Sequence, residues 1–300
     1  MNILLCGSFD AAELAEWQAA LSQAMPEARW LDLAAARAEP GLAQAAVVAN
    51  PLPGSLQELP NLRLIQSLWA GVDRLLNDST LPTGVPLARM VDPMMNAAMA
   101  ETALWAVLSL HRDFFTYAQQ QRQGVWQQYP QRRADETRVL VLGQGQMGRT
   151  AAERIAALGY RTTGWRRDGA PLQPLLVQAD IVINLLPLTP ETRGLIDASF
   201  LATLPAGAAL VNLARGAHVV DADLLPALDS GHLRHAVLDV FTTEPLPATH
   251  RFWTHPRVTV LPHAAAATDA RSAAAVAVRN LRAVRDGLPL AHEVSSQRGY

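Results

Sequence analysis

Residues 138–159, "RVLVLGQGQMGRTAAERIAALG", join an uninterrupted Val/Leu run to a glycine turn and then to a segment of strong helix formers. A strand that is apolar at every position has to be covered on both faces, which is the condition of a parallel sheet flanked by helices. In the turn, Gly143, Gly145 and Gly148 stand in G-x-G-x-x-G spacing. Alone that spacing says little. Between a buried strand and a helix it has physical uses: a tight turn, bare backbone that a pyrophosphate can approach, and close packing of helix on strand. The helix N-terminus adds unbonded N–H groups and partial positive charge for that phosphate. Gln146 and Met147 open the helix and belong to the same expected dinucleotide site.

The alternation runs along the whole chain. Residues 1 to about 97 read as "NILLC", a helix near Ala11 to Met25, "RWLDL", "AAVVAN", "LRLIQSL" and "VPLARM". From Arg138 it restarts as "RVLVLG", "RTTGW", "ADIVINLL", "AALVNLA", "HAVLDV" and "VTVLP". The expected fold is α/β: two Rossmann-like doubly wound domains with the active site in the cleft between them. Residues 1–97 and 268–300 form the expected substrate-binding domain, discontinuous and flavodoxin-like, and residues 98–267 the NADP-binding Rossmann domain. Three hundred residues suit two domains of that size. Asn96 precedes a helix expected from Ala97 to about Tyr117, read as a bridge between domains, and the polar segment after it reads as an exposed approach to "RVLVLG". A last helix, opened near Asp269 and closed at Gly287, returns the chain to the first domain.

Several classes are excluded. With 25 basic and 27 acidic residues the net charge is −2, which gives no field suited to nucleic acid or an anionic membrane. No apolar run approaches the roughly 20 residues that cross a bilayer, and "MNILLCGSFD" reads as a first strand rather than a signal peptide. The single cysteine, Cys6, rules out an internal disulfide and a multi-thiolate zinc site, fits a cytoplasmic protein, and reads as a small core residue. No H-E-x-x-H or H-x-x-x-H cluster occurs, so no metal is expected.

The second strand of a dinucleotide-binding unit usually ends on an acid that bonds a ribose hydroxyl. Here "RTTGW" runs into Arg166 and Arg167. Arginine beside a ribose 2′-phosphate offers a planar donor fork to a group that a carboxylate repels, so Trp165, Arg166 and Arg167 point to NADP(H) in preference to NAD(H). Two other readings stay open: the arginines are a solvated pair, or Asp168 reaches back as the ribose acid.

Ligands of open α/β sheets gather at the carboxyl ends of the strands. Arg215 follows "ALVNLA", Glu244 follows "HAVLDV", and His263 follows "VTVLP". An arginine clamps a carboxylate and polarises the neighbouring carbonyl, a histidine delivers a proton to the nascent alkoxide, and a glutamate orients the imidazole. Together, with a hydride donor, they suit reduction of a 2-keto acid. Taken singly, each has an ordinary alternative, a surface histidine or a structural ion pair.

By these residues the chain resembles the D-isomer-specific 2-hydroxyacid dehydrogenases, and within them the glyoxylate/hydroxypyruvate reductases. "LWAGVD", "LGQGQMG", "INLLPLTPETRGLI", "LVNLARGAHVVDADLLPALDSGHL", "AVLDVFTTEPLP" and "LPHAAAAT" carry the likeness over nearly the whole chain. The resemblance implies the roles above for Arg215, Glu244 and His263. It also implies Asp239 near the nicotinamide carboxamide, Leu186 and Pro187 beside the adenine, Leu213 and Ala214 in the cofactor site, and backbone of Ala70 and Gly71 holding the substrate carboxylate. Arg167 becomes the primary phosphate contact. Trp69 and Ala264 depart from the family's usual residues; Trp69, next to the backbone that should hold the carboxylate, counts among the expected substrate-site residues, and Met94 and Met95 are candidates to line the substrate pocket. The expectation is an NADPH-dependent reductase of glyoxylate and hydroxypyruvate, a homodimer, with a reductase of a bulkier 2-keto acid and a dinucleotide-sensing interaction protein as the competing readings.

Overall fold

The computed structural model describes residues 1–295, so residues 296–300 of the expected first domain lie outside the described residues. The chain divides into two compact units, Met1–Met94 with the segment from Thr268 onward, and Met95–Ala267. The first holds five parallel strands: β1 (Asn2–Gly7), β2 (Arg29–Leu31), β3 (Ala45–Ala49), β4 (Ile65–Ser67) and β5 (Leu87–Ala88), in the order β2-β1-β3-β4-β5. Its centre, β3, is buried at every residue, as its Ala/Val composition requires. The helix Ala11–Ala24 starts on Asp10, whose side chain accepts from the Glu13 amide, satisfying one of the unbonded N–H groups of a first turn.

Chain return to this unit is fixed chemically. The helix Ala270–Arg285 begins at Asp269, which accepts from the Arg271 amide, and its buried Asn280 donates to Gln66 Oε1 of β4 at 2.7 Å. A buried amide pair of that kind is specific, because either side chain left alone would carry an unmet hydrogen bond.

In the second unit six parallel strands, β6 (Arg138–Leu142), β7 (Arg161–Trp165), β8 (Ile181–Asn184), β9 (Ala208–Asn212), β10 (Leu233–Leu238) and β11 (Val258–Val260), lie in the order β11-β10-β9-β8-β6-β7. Numbered within the unit that is 2-1-3-4-5-6, the order of the first sheet with one strand added. β7 is therefore an edge, and the order reverses between β6 and β8, the place where such sheets bind ligands. Leu140, Leu142, Val182, Leu210 and Leu238 pack on one face and Val139, Val141, Ile183, Val211 and Val237 on the other, so both faces are apolar.

Three elements differ from the sequence reading. The helix expected from Ala97 to about Tyr117 is two helices, Pro93–His111 and Phe114–Gln123, broken at Asp113, whose φ is 57°. Aspartate tolerates the left-handed conformation better than most residues, and the second helix then takes up much of the polar segment read as an exposed approach. Pro93 opens the first helix, where its missing N–H costs nothing, and Asp92 accepts from the Met94 amide; Asn96 consequently lies inside the helix and buried. "LRLIQSL" and "VPLARM" contribute only Ile65–Ser67 and Leu87–Ala88 as strand.

Candidate active site

Three neighbouring strands, β9, β10 and β11, each run into a polar turn at their carboxyl ends. His263 follows β11 with φ 54°, a backbone that few side chains adopt. Asp239 holds it there: its carbonyl accepts from the His263 amide at 2.8 Å, and its carboxylate accepts from the amides of Ala264 at 2.7 Å and Ala265 at 3.2 Å. Asp239 is itself buried, and burial raises its carboxyl above the usual range against the lowering pull of those amides and of His263.

The imidazole meets Glu244. His263 Nδ1 lies 2.8 Å from Glu244 Oε2, while Glu244 Oε1 accepts from the Phe241 amide at 2.9 Å. A carboxylate only accepts, so Nδ1 carries the proton of this bond. Both side chains are partly open to solvent, at 53% for His263 and 35% for Glu244.

Arg215 reaches the same corner through its neighbour. A Cβ on Gly216 would overlap the backbone of Phe241 and Thr242, so only glycine lets the turn after β9 close on the loop that carries Glu244. The Arg215 guanidinium donates to the Ala214 carbonyl at 2.8 Å.

On the other side of the sheet the glycine loop can be tested for its fit to a dinucleotide. A Cβ on Gly143, whose φ is 95°, would press on the Leu185 carbonyl, and one on Gly148 would run into the Gly143 carbonyl. Those two glycines are demanded by the protein's own packing. Gly145 is not, since a Cβ there meets nothing within 4 Å, yet it caps the helix Gln146–Ala157 and leaves bare backbone facing outward. The residues present fit a pyrophosphate at that helix end.

The cations beyond β7 have partners. Arg166 pairs with Asp168 at 3.0 Å, and Arg167 with Glu191 at 2.8 Å, all four side chains being at least half exposed. Thr189 also donates to Glu191, and these bonds lower the Glu191 carboxyl. Trp165 turns inward, its ring in the core and its indole N–H donating to the Ala170 carbonyl, so it offers backbone only at this edge. Gln146 is exposed and Met147 partly buried in the first helical turn; Leu186, Leu213 and Ala214 are buried and Pro187 partly so.

Trp69, Ala70 and Gly71 follow β4 in the first unit. The Trp69 ring meets Trp17 edge to face at 6.4 Å, and Ser67 Oγ braces its backbone at both N–H and C=O. Met95 is buried on the helix Pro93–His111, whereas Met94 is exposed. Cys6 is buried and its thiol is pushed up to about 12, which denies it a thiolate at neutral pH. Among the described residues no group of three or more His, Cys, Asp or Glu side chains is placed to hold a metal ion, and no helix is long and apolar enough to cross a membrane.

Sequence reasoning missed a buried polar cluster behind these turns. Asn184 and Asn212, the last residues of β8 and β9, and His218 are each at most 1% exposed and hydrogen-bonded to one another in a chain. The available signal was an asparagine closing each of two wholly apolar strands.

A family profile described as D-isomer specific 2-hydroxyacid dehydrogenase, NAD binding domain, matches residues 104–265. A glyoxylate/hydroxypyruvate reductase A of Serratia proteamaculans (strain 568) is 38% identical over 323 residues, covering all of both chains. Two solved structures superpose closely. A D-isomer specific 2-hydroxyacid dehydrogenase from Xanthobacter autotrophicus Py2, in complex with NADPH and MES, has TM-score 0.93 and 38% identity over 100% of this chain and 99% of that one. An NADPH-dependent glyoxylate/hydroxypyruvate reductase from Sinorhizobium meliloti, in complex with NADP and sulfate, has TM-score 0.92 and 33% identity over 100% and 99%. The fold and the three strand-end turns define an α/β oxidoreductase. The chain belongs to the D-isomer specific 2-hydroxyacid dehydrogenase family.

Proposed function

We propose that the chain is an NADPH-dependent reductase of small 2-keto acids, converting glyoxylate to glycolate and hydroxypyruvate to D-glycerate, with His263 as general acid. The hydrogen bond from His263 Nδ1 to Glu244 carries this reading, because it holds an imidazole in one orientation at the carboxyl edge of a dinucleotide-type sheet. Glu244, oriented by the Phe241 amide, fixes the direction of the ring. Arg215 holds the substrate carboxylate with its guanidinium fork and draws electron density from the adjacent carbonyl. Proton delivery from Nε2 then completes the alcohol. NADPH, when bound, supplies the hydride; Gly143, Gly145 and Gly148 with the amides of the helix Gln146–Ala157 hold its pyrophosphate, and Arg167, with Arg166 beside it, its 2′-phosphate.

The names of the relatives support the substrate class: several enterobacterial chains at 35–38% identity over at least 95% of this one are glyoxylate/hydroxypyruvate reductases A. A homodimer is part of the proposal, supported by apolar surface that stays exposed on the second unit, Trp126 at 94% and Phe114 at 53%. A reducing, cytoplasmic setting agrees with a single buried thiol. The test follows NADPH absorbance with glyoxylate, hydroxypyruvate, pyruvate and phenylpyruvate in turn. Fastest turnover on the first two is expected; preference for phenylpyruvate, or turnover on none, overturns the assignment.

A further inference from the structure

We infer that His218, which touches neither cofactor nor substrate in the proposed reaction, is a positioning residue that locks the Leu186–Pro187 loop and the Arg215 turn into one rigid piece. The inference rests on the reading that those two segments hold the cofactor and the substrate carboxylate.

His218 is completely buried, in the turn after Arg215. Its Nε2 lies 3.2 Å from the Pro187 carbonyl, and its Nδ1 lies 2.9 Å from Asn184 Nδ2. A carbonyl accepts and an amide nitrogen donates, so the ring is neutral with its proton on Nε2. The orientation of Asn184 is set independently, since its Oδ1 accepts from the Leu186 amide at 3.2 Å. Both protons of Asn184 Nδ2 are then used, one on His218 and the other on Asn212 Oδ1 at 2.9 Å. Asn212 Oδ1 also accepts from the Ala214 amide at 3.3 Å, and its Nδ2 donates to the Arg215 carbonyl at 3.0 Å.

The result is a continuous chain of directed bonds from the Pro187 carbonyl, through His218, Asn184 and Asn212, to the backbone of Arg215. Each donor in it has its acceptor, and in a dry interior a broken member leaves its neighbour unsatisfied. Position is thereby transmitted. The loop after β8 cannot shift without disturbing the asparagine that seats the turn after β9, and the two lie on adjacent strands at the sheet's carboxyl edge. Phenylalanine or leucine would fill the space at His218 without holding either loop. Glutamine keeps one donor and one acceptor on a side chain of similar reach.

The experiment compares wild type, His218→Leu and His218→Gln, with Arg215→Ala in parallel. Three quantities are read: NADPH affinity by fluorescence, KM and kcat for hydroxypyruvate, and amide hydrogen exchange at Leu186 and Ala214. His218→Leu should weaken NADPH binding and raise KM together, each by about tenfold, speed exchange at both amides, and be largely rescued by His218→Gln. A variant that loses thermal stability yet keeps both constants within twofold, with unchanged exchange at the two amides, overturns the inference. Should His218→Leu not fold, the same readouts on Asn212→Ser decide: protection of Leu186 and Ala214 as in wild type refutes it. NADPH affinity and exchange need no turnover. Wild-type activity that survives Arg215→Ala would sink the proposed function while leaving these two readouts to judge His218.

Discussion

The two sides of the second sheet's carboxyl edge are built differently. Where β9, β10 and β11 end, the chemical groups sit on turns fixed from beneath by buried polar residues: Asp239, accepting, under His263, and Asn212, donating, under Arg215. Where β7 ends, Arg166 and Arg167 stand on the surface and pair with Asp168 and Glu191, which are equally exposed. Buried hydrogen bonds confine a group to one geometry, whereas an exposed ion pair contributes little and rearranges readily. Under the proposed function, the reacting side is therefore rigid and intolerant of change, and the side proposed to distinguish two nicotinamide cofactors is adjustable by single surface substitutions.

That contrast fixes the order of the mutational effects. Arg215→Ala should fall hardest, by about a thousandfold in kcat/KM for the keto acid, because a charge-assisted clamp and the polarisation of the carbonyl go together. Steady-state kinetics with unchanged NADPH affinity would mark it as a substrate effect. Glu244→Gln keeps an acceptor for the Phe241 amide but replaces the carboxylate that accepts from His263 Nδ1, so kcat should drop by about a hundredfold. If it drops no more than Arg166→Ala does, the rigid side has no privilege over the adjustable one. Arg167→Ala should weaken NADPH use by about tenfold and spare NADH, read as the ratio of kcat/KM for the two cofactors. Arg166→Ala, whose guanidinium is held by Asp168, should change that ratio less.

The final prediction concerns neither side and leaves kcat at neutral pH unaltered. His235 on β10 is buried, its ring stacked on Phe115 and its Nε2 bonded to Thr259, and desolvation chiefly holds its pKa down to about 4, with Arg234 adding to the effect. The unfolded chain takes up this proton at about 6.5. Its contribution to stability is thus complete above that pH, falls on acidification at no more than about 1.4 kcal/mol per pH unit, and is spent once pH passes below 4. Denaturant titrations of wild type and His235→Phe should diverge in slope across that window and run parallel above it.

What could be read from sequence divides along the same contrast. Apolar runs and a glycine turn announce a parallel sheet because their pattern is local, and Arg215, Glu244 and His263 stood out because each follows such a run. Asn184 and Asn212 carried the same positional mark, but an asparagine at the end of a strand reads as turn chemistry, and only the fold shows that both are buried, Asn184 bonded to His218 and to Asn212. Asp239 could be placed beside the cofactor by resemblance, while its bonds to the amides of Ala264 and Ala265 depend on a turn with positive φ that no residue type announced. The same holds for the helix break at Asp113. Glu191, the partner of Arg167, lies 24 residues away and was invisible to any local pattern.

Single-turnover reduction of hydroxypyruvate by enzyme preloaded with NADPH tests the central claim most directly, comparing wild type with His263→Ala. Wild type should oxidise one equivalent of NADPH, and the variant should bind the cofactor as tightly but react at least about a hundredfold more slowly, the contribution expected of a positioned general acid. A variant that reacts within a few-fold of wild type would show that the proton comes from elsewhere and that the imidazole facing Glu244 is not the acid of this enzyme.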